Sequence, residues 1–419
     1  MKRALPVLAL LLSLFTVACS QKEPSGGERT AAPSAAPENA EPAPEEKPYV
    51  SGNAERGKEL VKTYECNRCH EGTGLAAVPI ELACFGCHVD IDAGKFKGPP
   101  DKMAKWKKHV QHVMDVPSLD AAGKRFQERW LAAFLQNPTD LRPHLAPSMP
   151  RMKMSDTDAR DIAAYLARDA APAPAVDLAK ANAENGRKLL ETKGCGMCHA
   201  LSGAPALPMQ PNAVGPRVQP AVALAPDLAH VRERIAAPEL VRWLMNPKSV
   251  KPNTLMPSFD LTLAEAADIA AYLLTAKLTP EKRAVPARLP LLTRPVTFDE
   301  VNERVLSKTC RHCHGNPDIA GGDGGPGSTG GFGFPARHLD LSTYTGVASG
   351  WVGEDGERHS IFSNTKDGTP RLLAALYARQ AEEAGVIDPD VRGMPLGMPA
   401  LPSEDIQLLA TWIAQGRHR

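Results

Sequence analysis

The sequence predicts an all-α protein of three tandem bodies behind an extended N-terminal stretch. Three observations predict it: a pentapeptide present four times, an internal repeat, and Pro/Ala-rich breaks between apolar-periodic segments. The pentapeptide is Cys-x-x-Cys-His: Cys66-Asn67-Arg68-Cys69-His70, Cys84-Phe85-Gly86-Cys87-His88, Cys195-Gly196-Met197-Cys198-His199 and Cys310-Arg311-His312-Cys313-His314. The repeat sets Asn53-Ala54-Glu55-Arg56-Gly57-Lys58-Glu59-Leu60 against Asn182-Ala183-Glu184-Asn185-Gly186-Arg187-Lys188-Leu189. It returns as the identical Asp161-Ile162-Ala163-Ala164-Tyr165-Leu166 and Asp268-Ile269-Ala270-Ala271-Tyr272-Leu273. Breaks near 170–174 and 279–295 leave bodies at 49–170, 182–278 and 297–419, each close to domain size.

The chain of 419 residues opens with a basic head, Met1-Lys2-Arg3, and an apolar run over 4–17 that is short for a membrane span. Small residues then lead to Cys19, so 1–18 reads as a secretory signal. Its end resembles a bacterial lipobox, which implies lipidation of Cys19 and membrane association through that anchor. Thr16 stands where such boxes usually have Leu, and cleavage by ordinary signal peptidase is the alternative. The expected location is exported and periplasmic, with the outer membrane one possible address. Residues 19–48 are rich in Pro, Ala and Glu, with too little apolar surface to repay ordering. They read as a tether reaching at most ~90 Å at about 3.1 Å per residue.

Eight of the nine cysteines belong to the pentapeptides. Two thiols at i and i+3 match the two vinyl groups of a haem, and the adjacent imidazole reaches the iron from one face. Disulfides alone give no reason for a histidine after every second cysteine. A Cys₄ zinc site is the closer alternative for Cys66, Cys69, Cys84 and Cys87, because fourteen residues separate the two pairs. The trailing histidines favour haem: four covalently bound haem c groups, with His70, His88, His199 and His314 as iron ligands.

The order of helix, haem motif, loop, helix, Met-Pro loop and terminal amphipathic helix resembles the class I cytochrome c fold. The resemblance implies three tandem class I cytochrome c-like haem domains, the first carrying an inserted second haem motif. It also implies that Gly57 and Gly186 let the N-terminal helix pass close to the terminal one. In that family a loop methionine completes the iron's coordination. Met149 and Met256, each thirteen residues before the equivalent Ile162 and Ile269, are nominated, with Met152 and Met154 as runners-up in the first loop. His/Met ligation implies high potential.

From His70 to Asp161 is 91 residues, and from His199 to Asp268 only 69, so the first body carries 22 extra. The second motif lies in that stretch without a Met-Pro loop of its own. His109 or His112, three apart on a helical run, is expected as its distal ligand. In the third body, Met394 and Met398 stand eighteen and fourteen residues before Trp412, against sixteen from Met to Tyr in the repeats. Met394 is preferred. The nearby Gly-rich stretch 321–327 lacks the Gly-Lys-Ser/Thr ending of a phosphate loop.

A net charge of +1 argues against nucleic acid as a partner. Locally, Lys95, Lys97, Lys102, Lys105, Lys107 and Lys108 make the region after the second motif basic, suited to steering an acidic redox protein. The expected function is electron transfer between respiratory or periplasmic redox partners, with no bond-breaking step of its own. A haem enzyme, peroxidase-like or a small-oxyanion reductase, is the alternative. It would need one iron with an open position. A haem-based sensor is weaker, since the chain contains no recognisable output domain.

Overall fold

The repeated octads are helix starts. Asn53 and Asn182 each cap a helix, Ala54–Thr63 and Ala183–Thr192, by accepting the main-chain N–H of Arg56 and Asn185 at 3.0 Å. The repeated hexapeptides lie in the helices Asp156–Leu166 and Leu263–Thr275. Ser155 caps the first of these, and Thr262 with Glu265 forms a capping box on the second. In the first two bodies the N-terminal helix crosses the terminal helix at the glycine. A Cβ on Gly57 would collide with the Asp161 carbonyl, and one on Gly186 with that of Asp268. The close approach of two backbones is what the glycines supply.

The computed structural model describes residues 48–80, 82–108, 110, 116–139, 141–144, 149–169, 176–208, 219–315 and 330–419. The signal, Cys19, the tether, His109 and His112 lie outside the described residues. Each body has its own apolar core. The first gathers Val61, Leu131, Leu135, Ile162 and Leu166, the second Leu190, Leu240, Leu244, Ile269 and Leu273, and the third Val301, Leu306, Leu376, Leu409 and Trp412. Trp412 is fully buried, with Phe298 and Phe362 around it at 5.8 Å between ring centres. Its position facing the N-terminal helix is that of Tyr165 in the first body.

Among the described residues the regular structure is helical apart from one hairpin, Trp351–Val352 against Arg358–His359, and long irregular stretches such as 276–297 and 384–402 join the helices. The third body departs most. Its first helix begins as Phe298–Val301, capped by Thr297, and widens to a π-helix over Asn302–Cys310, closed where Arg311 N–H donates to the Leu306 carbonyl at 2.9 Å. This body also holds the helices Arg371–Glu383 and Ser403–Ala414.

Tyr49 to Arg419 forms one unit, with the first body between the other two. Gln127 N–H donates to the Arg234 carbonyl at 2.7 Å, and Asp227 N–H to that of Leu141 at 2.8 Å. On the other side Arg151 pairs with Glu382 at 2.8 Å, and Phe332 N–H donates to Glu65 at 3.1 Å. No helix among the described residues is long and apolar enough to cross a membrane.

Candidate functional site

The first and third motifs are built alike. Each N-terminal helix is stopped by a left-handed residue, Glu65 at φ 52° and Gly194 at φ 73°, and the chain re-enters a 3₁₀ turn, Cys66–Arg68 or Cys195–Met197. That turn places both thiols on one side. The histidine behind it is then locked: His70 Nδ1–H donates to the Pro117 carbonyl at 2.8 Å, and His199 Nδ1–H to the Pro226 carbonyl at 2.8 Å. With Nδ1 protonated, the Nε2 lone pair is left for a metal. Burial pushes both imidazoles down, despite the carbonyl contact, so they are held neutral as ligation requires.

The second motif differs. It lies within a regular helix, Cys84–Asp92, with Pro100–Trp106 following. The histidine-to-proline distance in sequence locates the extra chain: 47 residues from His70 to Pro117, against 27 from His199 to Pro226. Twenty of the 22 extra residues therefore enter between motif and proline, leaving the helix crossing untouched. The fourth motif sits at the end of the π-helix. Burial brings His314 down to about 4.

A cavity of about 990 Å³ joins these parts. The Cys, Cys and His of the first three motifs line it, with Arg311, His312 and Cys313 of the fourth; Cys310 and His314 stand off it. Met149, Met152 and Met256 are on its wall. Met256 Sδ accepts from Trp243 Nε1 at 3.0 Å. Met154 packs on the first core beside it. Met398 lines the same cavity, whereas Met394 stands off it, its N–H donating to the Ala375 carbonyl at 2.9 Å.

Residues 77–168 and 183–277 match the family model for cytochrome c. These two segments belong to the cytochrome c family. Searches of curated proteins and of solved structures gave no match. Cytochrome c domains bind haem covalently and transfer electrons through its iron. The first match begins at residue 77, so it takes in the second motif and leaves out Cys66 to His70. In the fold, however, it is the first motif that has the left-handed entry, the proline-anchored histidine and the helix crossing of the second cytochrome domain. Residues 297–419 lie outside both matches.

The cavity fits such groups in its charge as well as its thiols. Arg125, Arg142, Arg234 and Lys251 meet on its wall, where the first cytochrome domain faces the second. Arg234 is buried, and burial, with Arg142 and Arg125 beside it, brings it down to about 10. Among the described residues it has no ion-pair partner, and the buried Nε atoms of Arg125 and Arg234 have no hydrogen-bond acceptor. Buried cations in such a deficit call for anions, which the propionates of a haem supply. The thiols are neutral: burial pushes Cys66 and Cys310 up to about 12 and Cys195 up to about 11. A zinc cage would need thiolates, and no cluster of three or more His, Cys, Asp or Glu forms among the described residues.

Cys69 and Cys84 are in hydrogen-bonding contact, and that contact, with burial, pushes the Cys69 thiol far up. The first two motifs thus meet at their sulfurs. The proline anchors, the arginine cluster and this contact were not singled out in the sequence. The anchors left a readable trace, Pro117-Ser118-Leu119 against Pro226-Asp227-Leu228. The arginines left none, because they converge from separate segments of the chain.

Proposed function

We propose that the chain is a tetrahaem electron-transfer protein, with haem c on each of the four motifs. The observation that carries this reading is the connected cavity on which residues of all four motifs meet. A haem at each motif would take up and release one electron at its iron, and short separations favour passage from one to the next. The protein's residues would hold the groups rather than react. The cysteines anchor them, His70 and His199 are oriented by proline carbonyls, and the buried arginines balance carboxylates. Met149 and Met256, on the cavity wall, are proposed as sixth ligands of the first and third haems. His314 and Met394 both stand off that cavity, and Met394 is proposed for the fourth.

Export, lipidation at Cys19 and a periplasmic, membrane-tethered location are proposed from the N-terminal sequence. The partners proposed are redox proteins, one donor and one acceptor. Lys95, Lys97, Lys107 and Lys108 are exposed and suit an acidic one.

The test is mass spectrometry of the purified protein, followed by titration of the reduced form with carbon monoxide. Four added haems and four inert irons are expected. Fewer haems would overturn the count. One fast-binding iron would point to an enzyme of the peroxidase or oxyanion-reductase kind.

A further inference from the structure

The second motif has no methionine loop, and the fold brings another residue to it. His312, inside the fourth motif between Cys310 and Cys313, has its ring centre 6.2 Å from that of His88, with the planes 36° apart. Both line the cavity. Two imidazoles that each hold one metal through nitrogen at about 2 Å have ring centres about 6 Å apart. Two stacked rings in van der Waals contact would be closer. A spacing of 6.2 Å leaves room for one metal between the two rings. We infer that His312 is the sixth ligand of the iron held by His88, so that the pentapeptide binding the fourth haem also caps the second. The inference rests on the four-haem reading.

Other features of the site agree. His312 is exposed, and the ring of His88 is its one polar or aromatic contact among the described residues. Of the twelve histidines, four end the motifs. Among the rest, His359 is engaged with Asp355 at 2.9 Å, in the hairpin. The apolar wall here, Ile91, Phe96, Trp106 and Val110, comes from the inserted stretch itself. Phe96 and Trp106 meet edge to face at 6.3 Å. The insert would therefore supply one imidazole and an apolar wall, and the third body the opposing imidazole.

The other motifs suggest safe substitutions. At the position of His312 the second motif has Gly86 and the third Met197. His312→Gly and His312→Met thus install side chains that this chain already carries in the same place. The readout is electron paramagnetic resonance and carbon monoxide binding on full-length variants, with haem content checked by mass. His312→Gly should lose one bis-imidazole low-spin signal and bind one equivalent of carbon monoxide, and added imidazole should restore the signal. His312→Met should replace that signal by a ferric-methionine near-infrared band and raise one midpoint potential. Four haems with an unchanged bis-imidazole signal in both variants would overturn the inference. So would loss of that signal on His109→Gly or His112→Gly instead. Fewer than four haems in the parent protein would overturn the four-haem reading, which the mass reports separately.

Discussion

The first and second cytochrome domains share one scaffold and differ in how much it carries. Both cross their end helices at glycine, enter the motif through a left-handed residue and tie the histidine to a proline carbonyl 2.8 Å away. The first nevertheless accommodates some twenty further residues and a second motif. The difference teaches where this fold tolerates growth. Chain added between histidine and proline leaves the helix crossing intact, and loop length itself costs little. A second difference lies at the crossing. In the first domain Arg56 pairs with Asp158 and Asp161. In the second, a neutral Asn185 donates to Asp268 at 2.8 Å.

The largest expected effect is one that should not distinguish the two domains. Gly57→Val and Gly186→Val each drive a side chain into the opposing helix backbone and should cost about 3 kcal/mol or more. Denaturant melts with haem absorbance as the signal measure this. A tolerant variant in either domain would break the parallel. Next, Met149→Ala and Met256→Ala should each remove one methionine-ligand near-infrared band and lower one midpoint potential. If Met149→Ala changes nothing and Met152→Ala does, the two loops are not equivalent.

A smaller effect sharpens the contrast at the crossing. Arg56→Ala leaves Asp161, buried, without its guanidinium and should destabilise the protein more than Asn185→Ala does. Acid should separate the domains too. Burial pushes the Asp158 carboxyl up, but hydrogen bonds from Ser155 and Arg56 outweigh it and hold it below the usual carboxylate range. A depressed carboxylate gives stability that is present above its unfolded pKa, about 4, and lost as pH falls through its folded value. Acid unfolding followed in the parent and in Arg56→Ala should therefore show a shallower loss in the variant. Smallest of all, Lys95→Glu with Lys97→Glu should slow reduction by an acidic partner a few-fold at low salt and leave it unchanged at high salt.

Much of this architecture was legible in the chain. Asn53 and Asn182 cap helices where the octads begin, Gly57 and Gly186 sit at the crossings, and the duplicated Met-Pro loops bring Met149 and Met256 to the cavity wall. These are local signals, repeated at fixed spacing, and repetition exposes them. What stayed hidden depends on packing between bodies. Arg125 and Arg234 meet only because the first two domains dock, and His312 approaches His88 only because the third body folds back on the insert. The π-helix ending at Cys310 was equally silent, since Val301 to Leu306 has the apolar spacing of an ordinary helix.

The meeting of Cys69 with Cys84 bears on how haem would be attached at these two motifs. On the four-haem reading both sulfurs would be thioether-bonded, so attachment would have to come before they close on one another. An exported chain left unloaded in an oxidising compartment would instead be able to join the two as a cystine. One such bond would disable two attachment points at once.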